Sequence, residues 1–198
     1  VYDLFEDGPY YSDYSRIKSL ELAAKEIYGK NIPGAVAEAG VYRGEFARFI
    51  NLFYKNKKLY LFDTFEGFDE RDINYEHEHN YTARETGYYG DTNEFAVLEK
   101  MRYKENVVIK KGYFPDSAEG VQETFCFVSL DMDLYQPIKA GLEYFWNRME
   151  KGGYIFVHDC NIDHANYRGA RIALLEFCKK ENIGYVMLSD DHTAVICK

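Results

Sequence analysis

Two hydrophobic periods alternate along this chain, one suited to helices and one to buried strands. Ile17, Leu20, Ala24 and Ile27 share one helical face, opened by Ser15 as a capping residue and closed at Gly29. Asn31-Ile32-Pro33-Gly34 turns the chain into a short apolar strand at Val36 and Ala37. Past Gly40 and Gly44, the residues Phe46, Phe49, Ile50 and Phe53 recur at i, i+3, i+4 and i+7, which predicts a helix, and Leu59 to Phe62 predicts a second strand. Phe95, Leu98 and Met101 are then in helical phase between Asn93 and Tyr103, and Val107 to Ile109 reads as a third strand. Phe125 to Leu130 (FCFVSL) is wholly apolar, as a strand covered on both faces must be. Pro137 stands near the first position of a helix whose Ile138, Leu142, Phe145 and Met149 face inward; Gly152-Gly153 should stop it before a fifth strand from Tyr154 to Val157. A helix around Arg171 to Lys180 leads to two last strands, Ile183 to Leu188 and Thr193 to Cys197, separated by Asp190-Asp191-His192. So short a turn joins antiparallel neighbours. The sum is an α/β fold, a doubly wound, Rossmann-like, seven-stranded sheet that is mostly parallel with an antiparallel last strand.

Two stretches fall outside this pattern. Residues 1–14 are tyrosine-rich (Tyr2, Tyr10, Tyr11, Tyr14) and acidic, an arm over a ligand site, a dimer contact or a tail laid on the surface. Residues from about 69 to 91 (DERDINYEHEHNYTARETGYYGD) have little periodicity, and so long a loop in a compact domain reads as a lid over a bound molecule. Within it His77 and His79, at i and i+2, lack the partners of a metal site and read as solvated. The 198 residues, 46% hydrophobic, suit a single domain over 1–198 carrying this arm and this insertion. A net charge of -9 gives a phosphate backbone nothing to bind, which argues against a nucleic-acid partner. Cys126, Cys160, Cys178 and Cys197 form no C-x-x-C pair, and Cys126 and Cys197 sit in apolar runs as small hydrophobes. Reduced thiols, an acidic start and the lack of a membrane-length apolar run point to the cytoplasm and to no membrane association.

The candidate chemistry gathers at strand ends. Glu38 ends the first strand, Asp63 ends the second with Thr64 beside it, and Asp63 stands about 20 residues beyond the Gly40 turn, where an acid can accept both hydroxyls of a nucleoside ribose. A dinucleotide site wants G-x-G-x-x-G, whereas Gly40-Val41-Tyr42-Arg43-Gly44 has bulky residues in place of the middle glycine. That disfavours a pyrophosphate, and with it an NAD-dependent oxidoreductase. S-adenosylmethionine has a ribose without phosphate, and turn amides together with Glu38 could meet its amino-acid end. Alone, Glu38 could simply cap a turn and Asp63 end a strand in solvent. The Gly112-Tyr113 turn after the third strand would face an adenine, on position alone. Asp131 and Asp133 follow the fourth strand, and His158, Asp159 and Asn161 follow the fifth. Two readings of these acids stand together: carboxylates at adjacent tips converging on one Mg²⁺, which would lower the pKa of a bound hydroxyl, or polar strand ends that cap helices or meet Arg168 and Arg171.

The motifs AEAGVYRGEF, LYLFDTFEGF, KKGYFPDSAEG, FVSLDMDLYQP and GGYIFVHD, in that order, resemble the macrocin O-methyltransferase (TylF-type) family of class I S-adenosylmethionine-dependent methyltransferases. The resemblance runs from about Arg16 to the end. It implies methyl transfer to a hydroxyl of a sugar or glycosylated small molecule, with Mg²⁺ binding neighbouring sugar hydroxyls. It further implies Asp131 and Asp159 as metal ligands, Asp133, or else metal-bound Asp131, as the group managing the acceptor proton, Asp63 as the ribose acid, Glu38 to Gly44 at the methionine end, and a homodimer by family habit. The family's sugar enzymes carry two adjacent aspartates after the fifth strand, where this chain has His158-Asp159. An imidazole ligand at His158 is softer and adds no negative charge, which makes Mn²⁺ a candidate beside Mg²⁺. It also leaves open a non-catalytic module that keeps the S-adenosylmethionine site alone.

Overall fold

A computed structural model describes residues 14–161 and 168–198. The tyrosine arm, apart from Tyr14, lies outside the described residues. The elements in order are α1 (Tyr14–Gly29), β1 (Ala35–Ala39), α2 (Ala47–Phe53), β2 (Leu59–Asp63), α3 (Glu70–His79), α4 (Glu94–Glu99), β3 (Val107–Lys111), β4 (Phe125–Leu130), α5 (Tyr135–Trp146), β5 (Met149–Val157), α6 (Arg168–Glu181), β6 (Val186–Met187) and β7 (Ala194–Cys197).

The seven strands form one sheet in the order β3-β2-β1-β4-β5-β7-β6, and only β7 runs against its neighbours. The strand order reverses between β1 and β4, and that switch point opens a crevice beyond the carboxyl ends of the strands. Every residue of β1 and β4 is buried, because a helical layer covers each face of the sheet. Ile17, Leu20, Ile27, Phe49, Ile50 and Val97 pack on one face against Val36, Leu61 and Phe127. On the other, Ile138, Leu142, Phe145, Leu174 and Phe177 pack against Phe62, Phe125, Val128 and Ile155.

Several local expectations are corrected. Ser15 lies inside α1 rather than capping it, its hydroxyl within 2.7 Å of the Ser189 hydroxyl. Pro137 is the third residue of α5, tolerated there because the first-turn N–H groups have no helical acceptor. Gly152-Gly153 does not stop that helix; α5 has already ended, and the pair lies within β5, where Gly153 lets the strand pass so close to β4 that a Cβ would lie 2.7 Å from the Cys126 carbonyl oxygen. Met149 belongs to β5. In α4 the buried side is carried by Val97, with Met101 just beyond, while Phe95 is 72% exposed. Cys197 is exposed, and all four cysteines are free thiols.

The largest departure is the insertion at 69–91, which contains α3. Asp69 caps it, its carboxylate accepting from Arg71 N–H at 2.9 Å, and Asn80 closes it in the left-handed conformation. His77 and His79 are exposed, as expected, and each also has a local partner: their ring nitrogens lie 2.8 Å from the carbonyls of Arg84 and Tyr75. The far end of the insertion is tied to the sheet edge by Phe68 N–H to Tyr88 O (3.0 Å) and Gly87 N–H to Phe68 O (2.9 Å). Among the described residues no helix is long and apolar enough to cross a membrane.

Candidate active site

Four strand tips are laddered side by side at the switch point. Gly40 N–H donates to Phe62 O (2.9 Å), Asp131 N–H to Ala39 O (2.8 Å) and His158 N–H to Leu130 O (2.9 Å). Gly40, at φ +82°, is required by this convergence, since a Cβ there would sit 2.0 Å from the Asp131 carbonyl oxygen. The turn that follows puts Tyr42 at φ +48° and is held from below: Asp63 Oδ2 accepts Val41 N–H at 2.6 Å and Tyr42 N–H at 2.8 Å, and Oδ1 accepts Phe65 N–H at 2.7 Å. Asp63 is therefore first an organiser of the glycine turn. A carboxylate oxygen can accept two hydrogen bonds, so Oδ1 keeps capacity for one more donor.

Two clefts open over these tips and share Gly40, Tyr42, Tyr89, Asp131 and Asp133. The first, about 620 Å³ counted to its open mouth, runs from Asp63 and Thr64 to the Gly112-Tyr113-Phe114 turn and is walled by Met132, Leu134 and Pro137. The second, about 860 Å³ on the same count, is polar and contains Glu38, Val41, Arg16, His158 and Asp159. The insertion roofs the junction. Tyr89, itself at φ +69°, meets the Tyr42 ring at 4.9 Å, Thr92 Oγ1 donates to Tyr42 O at 2.6 Å, and Arg43 pairs with Asp91.

Most of the residues expected at a cofactor line one cleft or the other. Gly44 lines neither; at φ +76° it lets the turn pack on α4, where a Cβ would meet Val97 Cγ1 at 3.0 Å. Thr64 lines the first cleft while its hydroxyl donates to Gly67 O at 2.8 Å.

The acids at the tips of β4 and β5 do converge. One oxygen each of Asp131 and Asp159 and a ring nitrogen of His158 lie within 4.8 Å of one another. His158 Nδ1 stands 3.0 Å from both Asp131 Oδ1 and Asp159 Oδ2. The cation facing Asp131 is neither Arg168 nor Arg171, whose guanidinium donates to the Cys160 carbonyl at 2.6 Å, but Arg16 of α1. Arg16 is 3% exposed, lies over the Phe46 ring at 3.7 Å, and donates to Asp131 Oδ2 and to Ser129 Oγ, both at 2.9 Å. Asp133 and Asp159 sit at φ +63° and +56°, strained for residues with a side chain, as functional turns often are.

The electrostatics follow from burial and these pairs. Burial would raise Asp131, yet His158 and Arg16 hold it well below the usual carboxylate range. Burial would lower His158, but Asp131 outweighs it and holds the imidazole up at about 10. Burial, with Asp159 and Asp131 adding repulsion, pushes Asp133 well above the usual range. Burial does the same to Glu38, against the pull of Arg16.

Two clefts thus meet over an acid cluster at the strand tips, and the comparisons with known proteins say which family builds this site. The macrocin-O-methyltransferase (TylF) family model matches residues 12–198. The chain belongs to this TylF family. A relative from Streptomyces olivaceus, 8-demethyl-8-(2,3-dimethoxy-alpha-L-rhamnosyl)-tetracenomycin-C 4'-O-methyltransferase, is 26% identical over 174 residues, covering 78% of this chain. This TylF-family chain matches 65% of that relative's length, just under two thirds. Two solved structures share the fold: the calicheamicin methyltransferase CalS11 (TM-score 0.75, 18% identity, 94% of this chain and 80% of that one) and the O-methyltransferase NovP (TM-score 0.73, 20% identity, 93% and 79%).

Arg16 escapes a motif search but carries a signal. It precedes Leu20 by four positions, so a charged residue falls in phase with an apolar stripe. Asp72 and Glu76, 4% and 0% exposed on α3, carry no comparable signal in so polar a segment.

Proposed function

We propose that this TylF-family chain transfers a methyl group from S-adenosylmethionine to a hydroxyl of a sugar or glycosylated small molecule. The observation that carries the reading is the pair of clefts meeting over Gly40 and Asp131, one apolar and nucleoside-sized beside Asp63, the other polar and bounded by the Asp131–His158–Asp159 cluster. The relative that acts on a rhamnosyl group supports a sugar acceptor.

In this reading the first cleft takes adenosine, with the remaining lone pair of Asp63 Oδ1 accepting a ribose hydroxyl. The backbone at Gly40 allows close approach, and Glu38 with the Val41 side of the turn borders the amino-acid end. The donor supplies an electrophilic methyl on sulfur, so the chain's contribution is largely alignment of donor and acceptor over the junction, an effect worth up to about 7–11 kcal/mol. Asp133 faces that junction and would accept the proton of the acceptor hydroxyl, while Asp131 would orient the hydroxyl. Tyr89 and Tyr42 would shield the reacting atoms from water.

Asp131, His158 and Asp159 fit a divalent ion as a donor set, two carboxylates and one imidazole within reach of a single centre. That mixture suits Mn²⁺ at least as well as Mg²⁺. When bound there, the ion would supply Lewis acidity to a sugar hydroxyl.

The test is Asp133→Asn. Titration calorimetry with S-adenosylhomocysteine should give an affinity within about threefold of the unaltered chain, while methylation of rhamnosylated acceptors, read by mass spectrometry with Mg²⁺ or Mn²⁺ supplied, falls by about 10²-fold or more. Undiminished transfer would remove Asp133 from the reaction, and no binding of S-adenosylhomocysteine by the unaltered chain would remove the reading itself.

A further inference from the structure

Helix α3 turns two carboxylates inward one helical turn apart, Asp72 and Glu76, and buried acids are costly unless something uses them. Glu76 has a structural partner, its Oε1 accepting Tyr135 N–H at 2.6 Å at the start of α5. Asp72 is different. It lines the first cleft, where Tyr113 hydroxyl donates to its Oδ1 at 2.9 Å, and among the described residues its Oδ2 has no hydrogen-bond partner.

The surroundings define what could meet that oxygen. Between the turn after β3 and the turn after β4, the cleft is a slot bounded by Gly112, Phe114, Met132, Leu134 and Pro137, apolar walls suited to a flat ring. Asp63 marks the sugar end of the slot, and Asp72 offers a carboxylate oxygen from the roof. A ring whose edge presents N–H donors satisfies Asp72; a ring presenting a carbonyl oxygen there sets two acceptors against each other and leaves a buried charge unpaired.

Resting on the S-adenosylmethionine reading above, we propose that Asp72 is a specificity-determining residue of the nucleoside cleft, accepting a hydrogen bond from the 6-amino group of adenine, so that α3 is part of the binding site rather than only its cover. The Tyr113 hydroxyl fixes the carboxylate's orientation by holding its other oxygen. Burial pushes the carboxyl up to about 6, which still leaves it ionised at pH 8, where its preference for a donor is greatest. The same contact ties the insertion to the ligand, because Asp72 and Tyr89 both stand over the cleft and lie on opposite ends of the 69–91 segment.

The experiment is calorimetry at pH 8 with S-adenosylhomocysteine and with S-inosylhomocysteine, which carries a 6-oxo group in place of the 6-amino group and a hydrogen on the adjacent N1. The unaltered chain should prefer the adenosyl compound by about 10- to 100-fold, as expected for a hydrogen bond to a charged acceptor. Asp72→Asn is isosteric, keeps an oxygen for Tyr113 and can turn its amide N–H toward a 6-oxo group, so the preference should fall to about threefold or less, or reverse. Asp72→Ala, which removes the acceptor altogether, should level the two ligands as well and serves if the Asn variant does not fold. Thermal melting of each variant checks the fold. A preference unchanged in a folded variant, or equal binding of both ligands by the unaltered chain, overturns the assignment while leaving the methyl-donor reading in place. Failure of the unaltered chain to bind S-adenosylhomocysteine overturns both.

Discussion

Replacing Glu76 by Gln should change the way stability depends on pH. Glu76 is fully buried on α3 and accepts the Tyr135 N–H at 2.6 Å, its Oε2 has no hydrogen bond among the described residues, and a Cβ at Gly169 would fall 2.5 Å from Oε1, so the space around it is closed. Burial pushes its carboxyl up to about 7, the Tyr135 N–H opposing, from about 4.5 when exposed. A carboxyl with a raised folded value contributes stability that is fully present below the unfolded value and is lost as pH rises through the folded one. At about 1.4 kcal/mol per pH unit the difference is about 3 kcal/mol, of which about 2.5 kcal/mol disappears between pH 5 and pH 8. Glu76→Gln removes the titration and keeps an oxygen for Tyr135. Urea unfolding of both proteins at pH 5, 6, 7 and 8 should therefore give free-energy curves that diverge, the unaltered chain losing about 2.5 kcal/mol more than the variant over that range. Parallel curves would refute the reasoning, since they would mean that Glu76 titrates alike in the folded and unfolded chain.

Two further substitutions probe the switch point. Gly40→Ala should lower stability by more than about 2 kcal/mol in urea unfolding and abolish S-adenosylhomocysteine binding in calorimetry, because φ is +82° and the methyl group would meet backbone rather than a movable side chain. Arg16→Met should cost about 3–5 kcal/mol by leaving buried carboxylates without their guanidinium, and adding Asp131→Asn should recover much of that loss in the same unfolding assay, which two independent effects would not do.

Strands were legible in the sequence wherever both faces are buried. Phe125–Leu130 and Leu59–Phe62 are nearly continuous apolar runs because helices cover them on either side, and the antiparallel β7 followed from a short final turn. Helix α3 was not legible. Its inward residues are Asp72, Ile73 and Glu76, so the period that marks most helices is written here largely in acids, and only the Asp69 cap and the later positive-φ Asn80 mark its ends. Gly152-Gly153 misled for a related reason: a glycine pair reads as a stop, whereas here it permits close passage of β5 beside Cys126. At the site, convergence of Asp131 with His158 and Asp159 followed from topology, since adjacent parallel strands must end on one rim. Arg16 could not be paired in advance, because its partner lies 115 positions away and comes into reach only when α1 packs over the β1 and β4 tips.

That guanidinium changes what the acid cluster means. Glu38, Asp131, Asp133 and Asp159 share one cleft with Arg16 and His158, and Glu45 and Arg43 line it too. Burial and repulsion from neighbouring acids push Glu38 and Asp133 above the usual carboxylate range, while His158 with Arg16 holds Asp131, and His158 holds Asp159, below it against their burial. Opposite charges thus face one another on this rim before any ligand arrives, which is how several acids share a small space at the strand tips. An aspartate in place of His158 would remove the imidazole between Asp131 and Asp159 and set a third acid against them. His158 therefore does more than alter the hardness of a donor set. Its ring nitrogen, 3.0 Å from both Asp131 and Asp159, gives the two carboxylates a partner of the chain's own, and a divalent ion held by these three residues would need the imidazole in its neutral form.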